Sequence, residues 1–299
     1  MMPLDYIQVE ITTLCNARCR YCSQSKISDN TNQHSMDIKS FNILLDRISG
    51  FTNNIHLQGV GEPLMHKDFE SIIFSCKQKN LTTSTTTNGT LLGHVNLECL
   101  DELYISLDSI EQWEDDQRLG IIPEQVVENL DDLLAQNRHP RIYLTSVVRD
   151  TSVAQVAKVL NYVHTRRTQI SGVVLVPVLD IYASNDLLSP NVRREIATLT
   201  RSFSHLPIFD DAVTNTDDSI HSCGWLFDKL YFDVHGILRV CCVRGGNSND
   251  IALGSIFSDG LKTLLSQDHF LRLMQRMRRE DHDAICEKCI ESGLCHIWR

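Results

Sequence analysis

From residue 6 to about residue 180 the chain alternates between two apolar spacings. Runs such as Ile7-Gln8-Val9-Glu10-Ile11 and Leu103-Tyr104-Ile105-Ser106-Leu107 place an apolar side chain at every second position, the period of a strand. Between them, apolar residues recur at steps of three and four, one face of a helix: Phe41, Leu44, Leu45 and Ile48, then Phe69, Ile72, Ile73 and Cys76. The pattern predicts strand 7–12, helix 36–49, strand 55–59, helix 67–78 and strand 81–87, closed by the turn Asn88-Gly89. A short helix, strand 103–108, helix 123–137 opened by Pro123, strand 141–148, helix 152–164 and strand 173–177 follow. Repeated β-then-α units predict a parallel sheet covered by helices. Eight such units take about 250 residues, so six in this length predict an open, partial (β/α)6 TIM-like barrel.

Beyond it the rhythm breaks. Residues 181–222 are expected to connect two parts, with a helix from Ser189-Pro190 to about Ser202 and a polar, acidic run around Asp210, Asp211 and His221. Residues 223–299 open with two alternating runs, 229–234 and 237–242, around His235-Gly236, a hairpin pattern. Leu253-Gly254-Ser255-Ile256 follows, and an amphipathic helix at 260–278 completes a small β-hairpin-plus-helix module. Leu261, Leu264, Leu265, Phe270, Leu273, Met274 and Met277 are expected to be its core.

Composition narrows the class. Hydrophobic residues at 42% and charged ones at 22% are those of a globular protein. No run of about 18 apolar residues predicts a membrane span. The start, Met-Met-Pro-Leu-Asp-Tyr, reads directly into a strand without a signal-peptide pattern. With eleven cysteines, that predicts a cytoplasmic, reducing setting and metal ligation, not disulfides. A net charge of −10 argues against a nucleic-acid partner and would welcome a cationic substrate.

The thiols are grouped. Cys15, Cys19 and Cys22 lie on one loop after the first strand, spaced to surround a soft metal centre. A second set, Cys223, Cys241, Cys286 and Cys289, brings a hairpin pair and a CxxC together. Zinc could close either set. Three thiolates on an iron–sulfur cube would leave one iron open, and an open metal position is where chemistry occurs.

The CxxxCxxC loop, with Tyr21 before its last Cys, resembles that of the radical S-adenosylmethionine (SAM) enzymes. The resemblance implies a [4Fe–4S] cluster on Cys15, Cys19 and Cys22 whose open iron chelates SAM. Reductive cleavage of SAM then yields a 5′-deoxyadenosyl radical that removes a hydrogen atom from substrate. Gly61-Glu62-Pro63 matches the family segment that holds the SAM amino group, with Val60 where the family has glycine. Thr86, Thr87, Asn88, Ser106 and Asp108 match the strand tips that contact ribose and methionine carboxylate, and Tyr21 joins the cofactor-binding set. The second thiol set resembles the SPASM, or shortened twitch, module. This implies one auxiliary [4Fe–4S] cluster on Cys223, Cys241, Cys286 and Cys289, with Cys295 a spare thiol or an alternative ligand.

The resemblance implies an external electron donor such as flavodoxin or ferredoxin. The expected outcome is dehydrogenation of an alcohol on a small amino-sugar or aminocyclitol-like molecule. Glu10, Arg149, Asp180 and Arg244 are the expected acid–base residues. Epimerisation, with Cys242 returning a hydrogen atom, remains open, unless Cys242 alternates into the hairpin core. Maturation of a ribosomal peptide is a third outcome, which the short stretch before residue 15 disfavours. A non-enzymatic iron–sulfur or zinc sensor would not need Gly61-Glu62-Pro63 and its companion strand tips.

Overall fold

In the computed structural model the described residues are 4–22, 33–136, 138–178, 188–214, 223, 225–245 and 251–292. The expected units form in order: β1 (Tyr6–Val9), α1 (Ile38–Ile48), β2 (Asn54–Leu57), α2 (Phe69–Gln78), β3 (Thr82–Thr87) and β4 (Glu102–Ser106). Then come α3 (Pro123–Leu134), β5 (Arg141–Val148), α4 (Val153–Thr165) and β6 (Ile170–Pro177). β1 to β6 are mutually parallel and adjacent in chain order, as successive βα units require. Between β3 and β4 the expected short helix is only a 3-10 turn, Leu92–His94. Cys99 lies half-buried in the turn that follows.

The period of two separates the sheet's faces. Ile7, Val9, Ile55, Leu57, Leu103 and Ile105 are fully buried in one core with Phe41, Leu44, Ile72 and Val126 from the helices. The alternate positions, among them Gln8, His56, Ser84, Thr86, Tyr104 and Tyr143, line the other, inner face.

The sheet runs on at both ends. The expected connection 181–222 contributes α5 (Pro190–Ser202), a seventh parallel strand β7 (Ile208–Phe209) on β6, and α6 (Asp211–Thr214). At the other edge β8 (Lys229–Phe232) lies parallel to β1, pairing Tyr6 with Lys229 and Val9 with Phe232. β9 (Ile237–Arg239) and β10 (Ala252–Ser255) then extend one sheet antiparallel. β1 is therefore central, and its otherwise open edge is covered.

Two local expectations need correction. The second hairpin strand ends at Arg239, and Cys242 opens a single helical turn, α7 (Cys242–Gly245), so strand alternation does not orient it. The helix over 260–278 is two, α8 (Leu261–Ser266) and α9 (Asp268–Arg278), broken at Gln267, which is extended (φ −69°, ψ 143°). Leu264 and Phe270 are six residues apart, about one and two-thirds turns, so an unbroken helix would point them apart. The break lets both reach the core; Leu265, Leu273 and Met274 pack at its margin. α10 (Ala284–Ser292) follows, carrying Cys286 and Cys289 one turn apart. Among the described residues no helix is long and apolar enough to cross a membrane.

Candidate active site

The three-thiol loop leaves β1 and is braced on both sides. Arg18 N–H donates to Leu119 O (2.8 Å) and Arg20 N–H to Gln117 O (2.9 Å), so residues 117–119 run beside it like a further strand. Asn16 bridges to β3: its Oδ1 accepts from Asn88 Nδ2 (2.7 Å) and its Nδ2 donates to Thr90 Oγ1 (2.8 Å). Tyr21 donates to Asp108 Oδ2 (2.7 Å), and Asp108 Oδ1 accepts from Val147 N–H (2.9 Å), which ties the loop to the ends of β4 and β5.

Glu62 is the knot of the next two tips. Its Oε1 accepts from Leu64 N–H (3.0 Å) and Thr87 Oγ1 (2.7 Å), and its Oε2 from Asn88 N–H (2.6 Å). Burial raises its pKa against these donors. The carboxylate fixes the backbone around it. Glu62 N–H donates to Leu14 O (2.7 Å), drawing the segment against the thiol loop. A side chain at Gly61 would meet Thr12 O at 2.2 Å, so only glycine permits that approach.

Arg118, which the sequence did not single out, completes the group. It is 6% exposed and donates to Ser106 O and to Asn88 O (3.3 Å), joining two strand tips. Burial opposes its charge, but Tyr21, Asp108 and the adjacent Cys19 outweigh that and raise its pKa. Burial also pushes the Cys19 thiol up to about 11 and raises Cys15, and the three thiols feel one another. Among the described residues no three His, Cys, Asp or Glu side chains converge tightly enough for a single metal ion. A four-iron cube, which takes each thiolate on a separate iron, does not need that convergence. The loop, its half-exposed sulfurs and the buried cation beside them fit such a cluster.

The expected acid–base residues fare differently. Glu10, 2% exposed, accepts from Val60 N–H (2.7 Å) and Val234 N–H (3.3 Å), so each carboxylate oxygen holds a backbone amide. Burial pushes its carboxyl up to about 7. Arg149 is engaged by Asp115 (2.6 Å) and stacks over Trp113 at 5.0 Å. Asp180 and the side chain of Arg244 lie outside the described residues, as does Cys295.

Cys242 lies near Cys223, Gln8, Tyr6 and Tyr231, on the inner side of the β1–β8 pair, with burial pushing its thiol up to about 12. At this corner Gln8 Oε1 is buried without a hydrogen-bond partner among the described residues. Cys286 and Cys289 stand half-exposed on α10, whose end is held by Arg193 Nη2 donating to Ser292 O (2.9 Å).

The inner face of β2 to β5 is polar, and Glu102 on it accepts from the Tyr104 hydroxyl (3.2 Å) and pairs with Arg141. His56 shares hydrogen bonds with Ser84 (2.7 Å), Gln58 (2.7 Å) and Thr86 (3.2 Å), and burial lowers its pKa to about 4, so it is neutral. Tyr104 stacks on Tyr143 at 4.9 Å. The alternating polar positions of β2 to β5 were the available signal for this face. Arg118 gave none, because it sits in an irregular stretch.

The model of the radical SAM superfamily matches residues 9–163, and that of an iron–sulfur cluster-binding domain, SPASM, matches residues 223–290. A tungsten-containing aldehyde ferredoxin oxidoreductase cofactor-modifying protein from Pyrococcus furiosus is 32% identical over 126 residues, 40% of this chain and 35% of that protein. A GTP 3′,8-cyclase from Chlorobaculum tepidum is 32% identical over 145 residues, 44% of this chain and 42% of that one. The chain thus spans about a third to two-fifths of these two curated relatives. Among solved structures, SuiB of Streptococcus suis bound to precursor peptide SuiA superposes with a TM-score of 0.75 at 14% identity, covering 99% of this chain and 71% of SuiB. The enzyme anSMEcpe with bound AdoMet gives 0.70 at 18%, covering 98% and 85%, and BtrN with AdoMet and 2-DOIA gives 0.54 at 17%, covering 99% and 93%.

Proposed function

We propose, from the premise that this chain belongs to the radical SAM superfamily, that it dehydrogenates an alcohol on a small, hydroxyl-rich molecule of amino-sugar or aminocyclitol type. Membership carries a [4Fe–4S] cluster that binds SAM, and the SPASM domain carries an auxiliary cluster. When bound, these groups supply a 5′-deoxyadenosyl radical to take the hydrogen atom and an acceptor for the electron left after the hydroxyl proton departs. Cys15, Cys19 and Cys22 would hold the first cluster; Cys223, Cys241, Cys286 and Cys289 the second.

The observation that carries the reading is the lattice of bonds joining the thiol loop to the tips of β2, β3 and β4 through Glu62, Asn16, Tyr21 and Arg118. It preorganises one mouth, with Gly61 admitting close backbone approach and the Arg118 cation beside Cys19. Preorganised charge needs no rearrangement when a ligand arrives. A carboxylate and a ribose would find donors at Arg118, Asn88 and Ser106. Below, the polar, hydrogen-bonding face of His56, Gln58, Thr86 and Tyr104 suits a polyhydroxylated substrate better than an apolar one. Flavodoxin or ferredoxin is the proposed electron donor.

Radical epimerisation is a second reading, favoured by one finding: Cys242 lies on the inner side by Gln8 and Tyr231, where a thiol could return a hydrogen atom to substrate.

Reconstituted, anaerobically reduced protein should cleave SAM to 5′-deoxyadenosine, and the triple variant C15A/C19A/C22A should not. Unchanged cleavage in the triple variant would overturn the proposal. Under dehydrogenation Cys242→Ala still forms product; under epimerisation it stops after hydrogen abstraction.

A further inference from the structure

Glu10 sits at the end of β1, the central strand, between the two halves of the site. One oxygen takes the Val60 N–H of the Gly59-Val60-Gly61-Glu62-Pro63 tip. The other takes the Val234 N–H at the turn of the auxiliary hairpin. Glu10 N–H donates to Phe232 O (2.9 Å), so its backbone is fixed to the same hairpin. The Tyr231 hydroxyl approaches the carboxyl, and Asp233, close by, is itself engaged by Arg239 at 2.8 Å. Gly59 shows how tight the fit is: a Cβ there would lie 2.2 Å from Glu10 Oε1. A buried carboxyl with two backbone donors from segments 174 residues apart (234 − 60) is costly unless both bonds form.

We propose that Glu10 is a positioning residue that clamps the SAM-binding tip and the auxiliary-cluster hairpin at a fixed spacing. The proposal rests on the reading of 59–63 as a cofactor-binding tip. A carboxyl can accept from both amides whether or not it carries a proton. A carboxamide cannot, because its NH2 group would confront one N–H with another donor. Glu10→Gln therefore keeps size and shape and breaks one side of the clamp.

The test is amide hydrogen exchange by mass spectrometry on the cluster-loaded protein, with the affinity for S-adenosylhomocysteine measured alongside. In Glu10→Gln, exchange should rise at least tenfold in peptides holding Val60 or Val234, and affinity should fall several-fold while iron content stays unchanged. Gly59→Ala, which displaces the carboxyl without altering it, should reproduce the pattern and guards against a folding defect peculiar to the first variant. Unchanged exchange at both segments in both variants overturns the clamp. Faster exchange with unchanged affinity overturns the positioning role, leaving only a structural bond. Failure of the reading itself would show separately, as SAM cleavage that survives loss of all three loop thiols, while exchange at Val60 and Val234 still reports on the clamp.

Discussion

The two thiol regions are built on opposite principles. The loop at Cys15, Cys19 and Cys22 is held by the protein: backbone bonds to 117–119, side-chain bonds through Asn16 and Tyr21, and a buried guanidinium bridging two strand tips. The region at Cys223, Cys241, Cys286 and Cys289 draws its thiols from separate places: Cys223 precedes β8, Cys241 follows β9, and Cys286 and Cys289 lie on α10, whose only buried residue is Ser292. The first can keep its shape before a cluster enters. The second has little apolar burial of its own on α10, and under the proposed ligand set it would gain its closure from the cluster. Where ligands come from distant elements, binding energy is folding energy.

The largest expected effect separates these principles. Replacing Cys286 and Cys289 by Ser should lower iron from about eight to about four per chain, the content of two four-iron clusters against one. Exchange should rise across α10, while 5′-deoxyadenosine formation persists. The C15A/C19A/C22A variant should show the converse: no SAM cleavage, yet a melting temperature close to that of the parent loaded with its auxiliary cluster. Equal loss of structure in both would erase the distinction.

Next in size is Arg118→Gln. It leaves two buried carbonyl contacts and Asp108 without their cation, at a cost of about 3 kcal/mol. Denaturant unfolding measures it, and a loss below ~0.5 kcal/mol would show that the brace is loose. Comparable in scale is the pH dependence of Glu10. Its carboxyl is raised from 4.5 to about 7 by burial. The folded state therefore holds the proton more tightly, and stability from this group is full below pH 4.5 and lost as pH rises through about 7. The span corresponds to about 3 kcal/mol at most, and the slope should vanish in Glu10→Gln. Smallest is Tyr21→Phe, which removes one hydrogen bond to Asp108 for about 1–2 kcal/mol.

Much of this was readable from local pattern. Strand and helix periods gave six βα units because each element buries one face, and α5 begins at Pro190 behind the Ser189 cap as its residues dictate. The thiol spacings marked both cysteine sets. What the chain alone concealed were relations between distant residues. No local signal says that β8 adds to the edge of β1, since parallel pairing joins segments more than 200 residues apart. For the same reason the chain alone did not show that Glu10 takes the backbone amides of Val60 and Val234. Helix 260–278 looked continuous because its average apolarity does not reveal that Leu264 and Phe270 are out of phase. Glu62 was found by motif, but its work in fixing Asn88 and Thr87 follows only from three-dimensional closure.

The central claim is that an iron held by Cys15, Cys19 and Cys22 is open to the amino and carboxylate groups of SAM. Electron–nuclear double resonance on the reduced protein, with SAM labelled by nitrogen-15 at the amino group and carbon-13 at the carboxylate, tests it directly. Hyperfine coupling from both labels to the cluster is the expected result, abolished in the triple-thiol variant. A reduced cluster that shows neither coupling at saturating SAM would contradict it.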